Sequence, residues 1–187
     1  MTRGRKSQKV KILTNRDIDL LKQLARTGIA NGQQAKEFCE LSFERIGKLE
    51  KSGYIITSYH AVRGGNNLII QLNKLGKEYC RQEFGIRSFG SAQTNHLEHD
   101  LKLTEIYYNL IPEIQDTWRS EVELIKEIYD KFPKMKGFLK TCIDATIEID
   151  GNKIAIESIG KSYREKDLKE KENIAKIYLG CTKMESV

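Results

Sequence analysis

The sequence has no long apolar run and no closely spaced pair of cysteines. No stretch approaches the roughly 18 apolar residues that span a membrane, so we expect no membrane segment. The basic start, MTRGRKSQKVK, is not followed by the apolar core of a signal peptide, which predicts a cytoplasmic protein. The four scattered cysteines form no CxxC motif. Their spacing argues against a zinc ribbon or a disulfide framework and predicts reduced thiols.

Charge is distributed unevenly along the 187 residues. Residues 1–90 contain 17 Lys and Arg against 8 Asp and Glu, a net charge of +9, whereas residues 91–187 contain 15 against 18, a net charge of −3. A polyanion such as DNA is attracted to clustered positive charge, so the first half is the expected contact region. Net charge alone fits equally a basic surface that only aids solubility, and the local pattern must separate the two.

Three helices are predicted early in the first half. A capping box of Thr14 and Asp17 begins an amphipathic helix that ends at Gly28. A short second helix is expected over 33–38, and Ser42 is a good N-cap for the third. Two short helices joined by a tight turn match helix-turn-helix geometry, in which the second helix of the pair enters the major groove of DNA.

The third predicted helix, residues 42–53, has an apolar and a polar face. Phe43, Ile46 and Leu49 recur at helical spacing and are expected in the core. The opposite face, together with the start of the preceding helix, is expected to contact bases and phosphates. The DNA-contact residues predicted there are Gln33, Ser42, Arg45 and Lys48.

A glycine-rich hairpin follows these helices. Strands are predicted over 54–60 and 68–72, joined by VRGGNN at 62–67, and a helix over 73–85 closes the unit. A helix-turn-helix followed at once by such a hairpin is a winged helix, whose tip can reach phosphates or the minor groove. The predicted tip residues are Arg63, Asn66 and Asn67.

The N-terminal arm, residues 1–12, is the second element expected to contact phosphates. It is predicted to be flexible, and its basic side chains are Arg3, Arg5, Lys6, Lys9 and Lys11. The alternative for the first half is a winged helix that contacts another protein. The excess of positive charge in this half favours double-stranded DNA as its partner.

The second half is predicted to form a small α/β unit. Residues 85–95 lack periodicity and are interpreted as a linker. A strong amphipathic helix is expected over 96–111, and 117–132 begins with the alternation of a strand. His96 and His99 stand at a spacing that metal ligands can adopt, but no third ligand adjoins them.

Residues 142–162, CIDATIEIDGNKIAIESIGKS, form two alternating runs joined by Asp150 and Gly151, which favour a two-residue type I′ turn. Carried back from that turn, the register places Asp144 directly opposite Glu157. Like charges so placed are destabilising unless a cation lies between them, and Mg²⁺ is the obvious candidate. The alternative is a solvated face on which two acids are tolerated.

Asp144 on one strand, Glu157 on the next and a helix after them resemble the core of PD-(D/E)XK nucleases. By that resemblance Glu121 would be the acid supplied by an earlier element. The family's lysine lies two residues after the second acid, where this sequence has Ile159, and Lys161 lies two residues further on. The resemblance implies either a Mg²⁺-dependent endonuclease that uses these acids and Lys161, or a unit that has lost cleavage.

The whole chain resembles the replication-relaxation family of bacterial plasmids and mobile elements. The motifs that carry this resemblance are, in order, LTNRDIDLLKQLA, GYI, NHLEHDLKLTEIYYNL, WRSE, IDATIEIDGNKIAIE and KSYREKDLKEKENIAKIY. The resemblance implies control of plasmid replication or mobilisation of plasmid DNA, together with a relaxase or replication initiator. It also implies that the second unit serves for contact with that partner or for homodimerisation.

The sequence thus predicts an α+β or α/β chain: a basic arm (1–12), a winged helix (13–84), a linker (85–95) and a restriction-endonuclease-like α/β domain (96–187). The first hypothesis is a sequence-specific, non-catalytic binder of double-stranded DNA that needs no cofactor. The second is a Mg²⁺-dependent endonuclease. The third is a winged-helix transcriptional regulator, which differs from the first in the site that it binds.

Overall fold

The fold is mixed α+β, and the computed structural model describes residues 7–62, 65–92, 96–139, 141–160 and 163–187. Five predicted site residues lie outside these ranges: Arg3, Arg5, Lys6, Arg63 and Lys161. Within the ranges, eight α-helices accompany two small sheets. None of the helices described is long and apolar enough to cross a membrane.

The first sheet and four helices are formed by residues 15–84. Their order is α1 (Asn15–Thr27), β1 (Ala30–Asn31), α2 (Gly32–Cys39), α3 (Phe43–Lys51), β2 (Ile55–Val62), β3 (Gly65–Leu72) and α4 (Lys74–Phe84). The strands are antiparallel in the order β1-β3-β2. One apolar core joins the helices to the sheet and includes Leu20, Leu24, Ile46, Leu49, Ile55 and Ile70.

Local sequence sets the ends of these helices. Thr14 and Asp17 form the predicted capping box of α1, and Gly28, with φ of 86°, ends that helix. The prediction that Phe43 lies in the core is wrong, because its side chain is 55% exposed. The Phe43 ring lies over Gly32. A Cβ at position 32 would lie 2.7 Å from this ring, so the ring can lie there because residue 32 is a glycine.

The second sheet and the remaining helices come from residues 97–186. They are α5 (Leu97–Tyr108), α6 (Pro112–Gln115), β4 (Arg119–Ser120), α7 (Glu121–Lys131), β5 (Ala145–Ile149), β6 (Asn152–Glu157), α8 (Glu165–Asn173) and β7 (Lys183–Ser186). A 3₁₀ turn (Pro133–Met135) follows α7, and a π-helical turn (Ile174–Tyr178) follows α8. The strand order is β4-β5-β6-β7, with only the β6–β7 pair parallel.

The predicted strand at the start of 117–132 is reduced to the two residues of β4. The Glu123 carboxylate accepts a hydrogen bond from the Ser120 N–H at 3.0 Å, so α7 begins at Glu121. Val122 consequently lies on the exposed side of a helix rather than in the sheet. The capping signal outweighs the short apolar alternation here.

The β5–β6 hairpin has the predicted register. The turn at 150–151 pairs Ile149 with Asn152, and the ladder continues to one step before Asp144 and Glu157. Both faces of the sheet are covered, one by side chains of α5 and the other by α7 and the π-helical turn. The alternative of a solvated acidic face is therefore wrong for Glu157, which is fully buried.

The predicted linker, 85–95, packs against the first unit in its described part. The Gly90 N–H donates to the Ala25 carbonyl oxygen at 2.9 Å. A Cβ on Gly90 would lie 2.6 Å from backbone atoms at the end of α1, so only glycine permits this approach. Helix α5 also packs on α1, where the buried hydroxyls of Thr27 and Thr104 are 2.9 Å apart. The two units therefore share buried polar contacts.

Candidate functional site

Helix α3 carries two of the predicted DNA-contact cations, and their partners differ. Arg45 Nε donates to Asp17 Oδ1 at 2.9 Å, and its Nη2 donates to the Ile12 carbonyl oxygen at 2.9 Å. Because Asp17 is fully buried in α1, this guanidinium joins α3 to α1 instead of pointing freely outward. Lys48 pairs with the exposed Glu44 at 2.8 Å, one helical turn away. Lys48 thus fits the predicted contact role better than Arg45.

The Asp17–Arg45 pair is held in its charged form. Burial by itself would raise the pKa of Asp17, but hydrogen bonds from Arg45 and Thr14 outweigh it and lower that pKa. The same hydrogen bond raises the pKa of Arg45. Both groups are ionised throughout the neutral range, so the contact acts as a permanent link between the two helices.

In the part of the arm that the structure describes, residues 7–12 lie along α3. The Val10 N–H donates to Ser52 Oγ at 2.8 Å, and Lys51 Nζ donates to Gln8 Oε1 at 3.1 Å. A cleft of about 360 Å³ separates the arm from the helix. Its lining residues are Ser7, Gln8, Glu44, Gly47, Lys48 and Lys51. Arm and helix thus form one continuous surface.

Four further predicted DNA contacts lie in the described part of the chain: Gln33, Ser42, Asn66 and Asn67. Gln33 and Asn66 are exposed, whereas Asn67 Nδ2 donates to the Gly65 carbonyl oxygen at 3.0 Å and shapes the hairpin. Ser42 Oγ accepts the Arg45 N–H at 3.2 Å as an N-cap. Around Gly32 the first turns of α2 and α3 meet β3, so the two helix starts share one side of the unit.

A second group of polar side chains lies near the start of β5 and the end of β6. Its members are His99, Asp144, Glu157, Tyr163 and Lys171. The Asp144 N–H donates to Glu157 Oε2 at 3.2 Å, and the Ser158 N–H donates to Asp144 Oδ2 at 2.7 Å. The two acids therefore lie side by side, as the hairpin register predicts. We call these five residues the carboxylate cluster.

Lys171 of α8 supplies positive charge to both acids. Its Nζ donates to Glu157 Oε1 and lies 3.9 Å from Asp144 Oδ1. The Tyr163 hydroxyl donates to the same oxygen of Glu157. Sequence reasoning missed Lys171 because it sought a lysine along the strand after the second acid. The available signal was a lysine three residues before Ile174, on the buried side of its helix.

His99 of α5 bridges two acids. Its Nε2 lies 3.0 Å from Asp144 Oδ2, and its Nδ1 lies 3.1 Å from Asp100 Oδ1. Hydrogen bonds to Asp100 and then Asp144 raise the pKa of His99 to about 10, so the ring is an imidazolium at neutral pH. His96 does not join it, and the residues described contain no group of three or more His, Cys, Asp or Glu arranged to hold a metal ion.

The pKa of Glu157 in the carboxylate cluster is shifted in the opposite direction to that of Asp17. Burial and the adjacent Asp144 raise the pKa of Glu157 more than hydrogen bonds from Lys171 and Tyr163 lower it. Burial lowers the pKa of Lys171, but the bond to Glu157 more than reverses this, and the net pKa is raised. Two carboxyl groups thus share this site with two basic groups, Lys171 and His99.

Glu121, the third predicted acid, lies at the edge of the cluster. Its N–H donates to the Asp144 carbonyl oxygen at 2.9 Å, and its side chain lines a small cleft of about 50 Å³. Desolvation and the charge of Asp144 raise the pKa of this carboxyl group. Trp118 also lines the cleft, and its indole N–H is buried without an acceptor in the described part of the chain.

No protein-family model matches this chain, and neither a curated protein nor a solved structure is significantly similar to it. Function must therefore be argued from the two regions themselves: the surface formed by the arm and α3, and the carboxylate cluster.

Proposed function

We propose that the protein binds double-stranded DNA in a sequence-specific manner and that its second unit is not catalytic. The observation that carries this proposal is the surface formed by the arm and α3. It presents Lys48 and Lys51 on the helix, and the arm that lies along this helix contains the exposed Lys9 and Lys11. Closely spaced lysines on an exposed helix and an adjoining chain segment are what phosphate contacts require.

The order of elements supports a winged helix as the scaffold for that surface. Helices α1, α2 and α3 precede the β2–β3 hairpin, and β1 closes the sheet beside β3. In such an arrangement α3 would enter the major groove, and the hairpin would contact the flanking backbone. The net charge of +9 over residues 1–90 favours DNA over a protein partner.

The biological setting that we propose is plasmid replication or mobilisation, with a relaxase or replication initiator as protein partner. This part rests on the motif resemblance and on no comparison. A transcriptional regulator would have the same DNA chemistry. Footprinting on DNA from the protein's own genetic element separates the two, because an origin and a promoter are different sites.

Charge reversal on α3 tests DNA binding. We expect Lys48→Glu/Lys51→Glu to weaken binding to a mixed-sequence duplex at about 50 mM salt by at least about tenfold, and to reduce the log–log salt slope by about 0.9 for each lysine. The matched control is Lys126→Glu/Lys176→Glu, which changes the net charge equally at exposed positions of the second unit. Fluorescence anisotropy measures both effects.

Arg45 is not a suitable position for this test, because its loss leaves the buried Asp17 unpaired. Equal affinity of wild type and the α3 variant would contradict the proposal. Equal losses in the α3 variant and the control would also contradict it, because the effect would then follow net charge alone rather than this surface.

The carboxylate cluster does not fit a Mg²⁺ ion as it stands. Glu157 Oε2 and Asp144 Oδ2 accept hydrogen bonds from backbone N–H groups. The Lys171 ammonium occupies the other two oxygens, donating to Glu157 Oε1 and lying 3.9 Å from Asp144 Oδ1. A divalent ion would have to displace this lysine from the same oxygens. The arrangement supports a structural role for the cluster.

One observation favours the second candidate, an endonuclease. A lysine contacts both acids, which is the combination of residue types in the nuclease motif, although it comes from α8 rather than from β6. Incubation of supercoiled plasmid with Mg²⁺ or Mn²⁺ decides between the candidates. Nicking that is lost in both Asp144→Asn and Lys171→Met would establish cleavage, whereas intact plasmid at high protein concentration supports the first proposal.

A further inference from the structure

An apolar groove lies on the second unit, away from both regions described above. One wall is the segment after α7, with Met135, Phe138 and Leu139. The other wall is formed by α8 and the π-helical turn, with Ile177 and Tyr178. The volume between the walls is about 500 Å³. We call this feature the Phe138–Ile177 groove.

The groove is unusual in how much apolar surface it leaves in water. Phe138 is 76% exposed and Ile177 is 64% exposed, and both line the same depression. Large apolar side chains are scattered singly on most surfaces, whereas two that converge on one concave site mark an interaction surface. Covering them removes apolar area from water, which stabilises a complex by about 25 cal/mol for each Å² buried.

The floor of the groove is continuous with the core of the second unit. Met135, Leu139 and Tyr178 are half-buried and pack on the cluster that contains Leu124. The Tyr178 ring also meets Phe132 edge to face, with centroids 5.3 Å apart. The walls are thus held by the core, and a partner would meet a preformed site.

The rim of the groove is basic. Lys166 and Lys169 line it from α8, and Lys134 and Lys136 are exposed on the segment that forms the opposite wall. Lys169 pairs with Glu165 at 2.7 Å, and one acid, Glu170, lines the groove. The stretch KFPKMKGFLK at 131–140 contains four lysines and no acid. The net charge around the opening is therefore positive although residues 91–187 as a whole carry −3.

We propose that the Phe138–Ile177 groove binds an amphipathic helix with an acidic polar face, supplied by a partner protein. The apolar part of the lining combines Leu139, Ile174, Ile177 and Met135 with two aromatic rings. Branched and thioether side chains suit leucine and phenylalanine anchors better than they suit stacked nucleobases. A helix presents such anchors at i, i+3, i+4 and i+7. Glutamates on its outer face would meet the lysines of the rim.

A designed peptide tests this proposal on the full chain. The probe is a fluorescein-labelled helix of about five turns, with leucine and phenylalanine at the four anchor positions and glutamate elsewhere. We expect binding with a Kd of about 10 μM, measured by anisotropy. Ile177→Glu should weaken it by at least about tenfold, because it places a charge in the apolar site. Lys166→Glu/Lys169→Glu should weaken it and reduce its salt dependence.

Matched controls distinguish binding in the groove from non-specific binding. Ile111→Glu changes an isoleucine that is 59% exposed outside the groove, and Lys126→Glu reverses an exposed lysine of α7. Both should bind the probe as wild type does, and circular dichroism should show that every variant is folded. A probe with lysine in place of glutamate should bind at least about tenfold more weakly.

Three results would overturn the proposal. The first is no binding of the acidic probe, or equal binding of the lysine version. The second is binding of single-stranded oligothymidine that Ile177→Glu abolishes, which would assign the groove to nucleic acid. The third is a concentration-dependent dimer, seen by sedimentation without peptide and lost in Ile177→Glu, which would make a second copy of the chain the occupant.

Discussion

Asp17 in the first unit and Glu157 in the second are both fully buried acids, and each is paired with a long basic side chain. The difference lies in their surroundings. Asp17 is a lone acid with Arg45 and capping donors, and its pKa is lowered. Glu157 shares its site with Asp144, and its pKa is raised. Since both acids are buried, the difference comes from the neighbours: a second carboxyl group next to Glu157 raises its pKa, whereas Asp17 has only donors beside it.

The same comparison explains why the two units are expected to differ in function. In the first, Arg45 is bound to the buried Asp17 within the fold, whereas Lys48 pairs only with the exposed Glu44. In the carboxylate cluster of the second unit, Lys171 and His99 lie inward against adjacent acids. Buried positive charge of this kind is not available to a phosphate, which is why the proposal of DNA binding is made for the first unit.

The largest effect is expected from Lys171→Met, which leaves both acids of the cluster without their ammonium group. Removing one partner of a buried charge pair costs about 3–5 kcal/mol of unfolding free energy. Urea denaturation at neutral pH measures the loss. The double variant Lys171→Met/Glu157→Gln should recover most of it, because the uncompensated charge is gone. A loss under about 1 kcal/mol in the single variant would show that the cluster contributes little to stability.

Arg45→Ala should have a smaller effect, about 2 kcal/mol, since the Arg45 side chain is 26% exposed and water partly replaces it. Lys48→Ala is the matched control on the same helix, and its surface pair with Glu44 is worth at most about 0.5 kcal/mol. Thermal or urea unfolding separates the two. Equal losses of unfolding free energy in both variants would mean that Arg45 is not needed to stabilise the buried Asp17.

Another prediction concerns the slope of stability against pH, and it involves His99. Its pKa is raised from 6.5 to about 10, so the folded state holds a proton that the unfolded chain releases above pH 6.5. This contribution to stability is fully present below pH 6.5 and is lost as the pH rises through about 10. Between these limits the unfolding free energy of His99→Gln, measured by urea titration, should change less with pH than that of the wild type. Identical slopes would contradict the bridge to Asp144.

Much of the fold was predictable because its signals are local. The Thr14–Asp17 capping box, the stop at Gly28, and the Asp-Gly turn with its register all depend on residues within a few positions of one another. The juxtaposition of Asp144 and Glu157 followed from that register by counting. Each of these features is set by backbone geometry that a short sequence already selects.

The contacts that sequence reasoning did not find share a different physical cause. Phe43 satisfies a helical apolar pattern, yet it lies on Gly32 of another helix. Arg45 fits a polar face, yet it reaches a buried acid 28 positions earlier. Lys171 lies 14 positions after the acid that it neutralises. Pairings between distant elements depend on how helices pack, and periodicity within one element does not contain that information.

The sequence by itself determined the capped ends of the first helix, the hairpin register and the division of charge between the halves, because these depend on neighbouring residues and on composition. Only the tertiary structure decided which cations face inward and which apolar side chains remain in water. Packing places Asp144 and Glu157 in contact with Lys171 and His99. It also leaves Phe138 and Ile177 exposed in one groove. Solvent access at a residue is set by the elements packed around it, and those come from the whole chain.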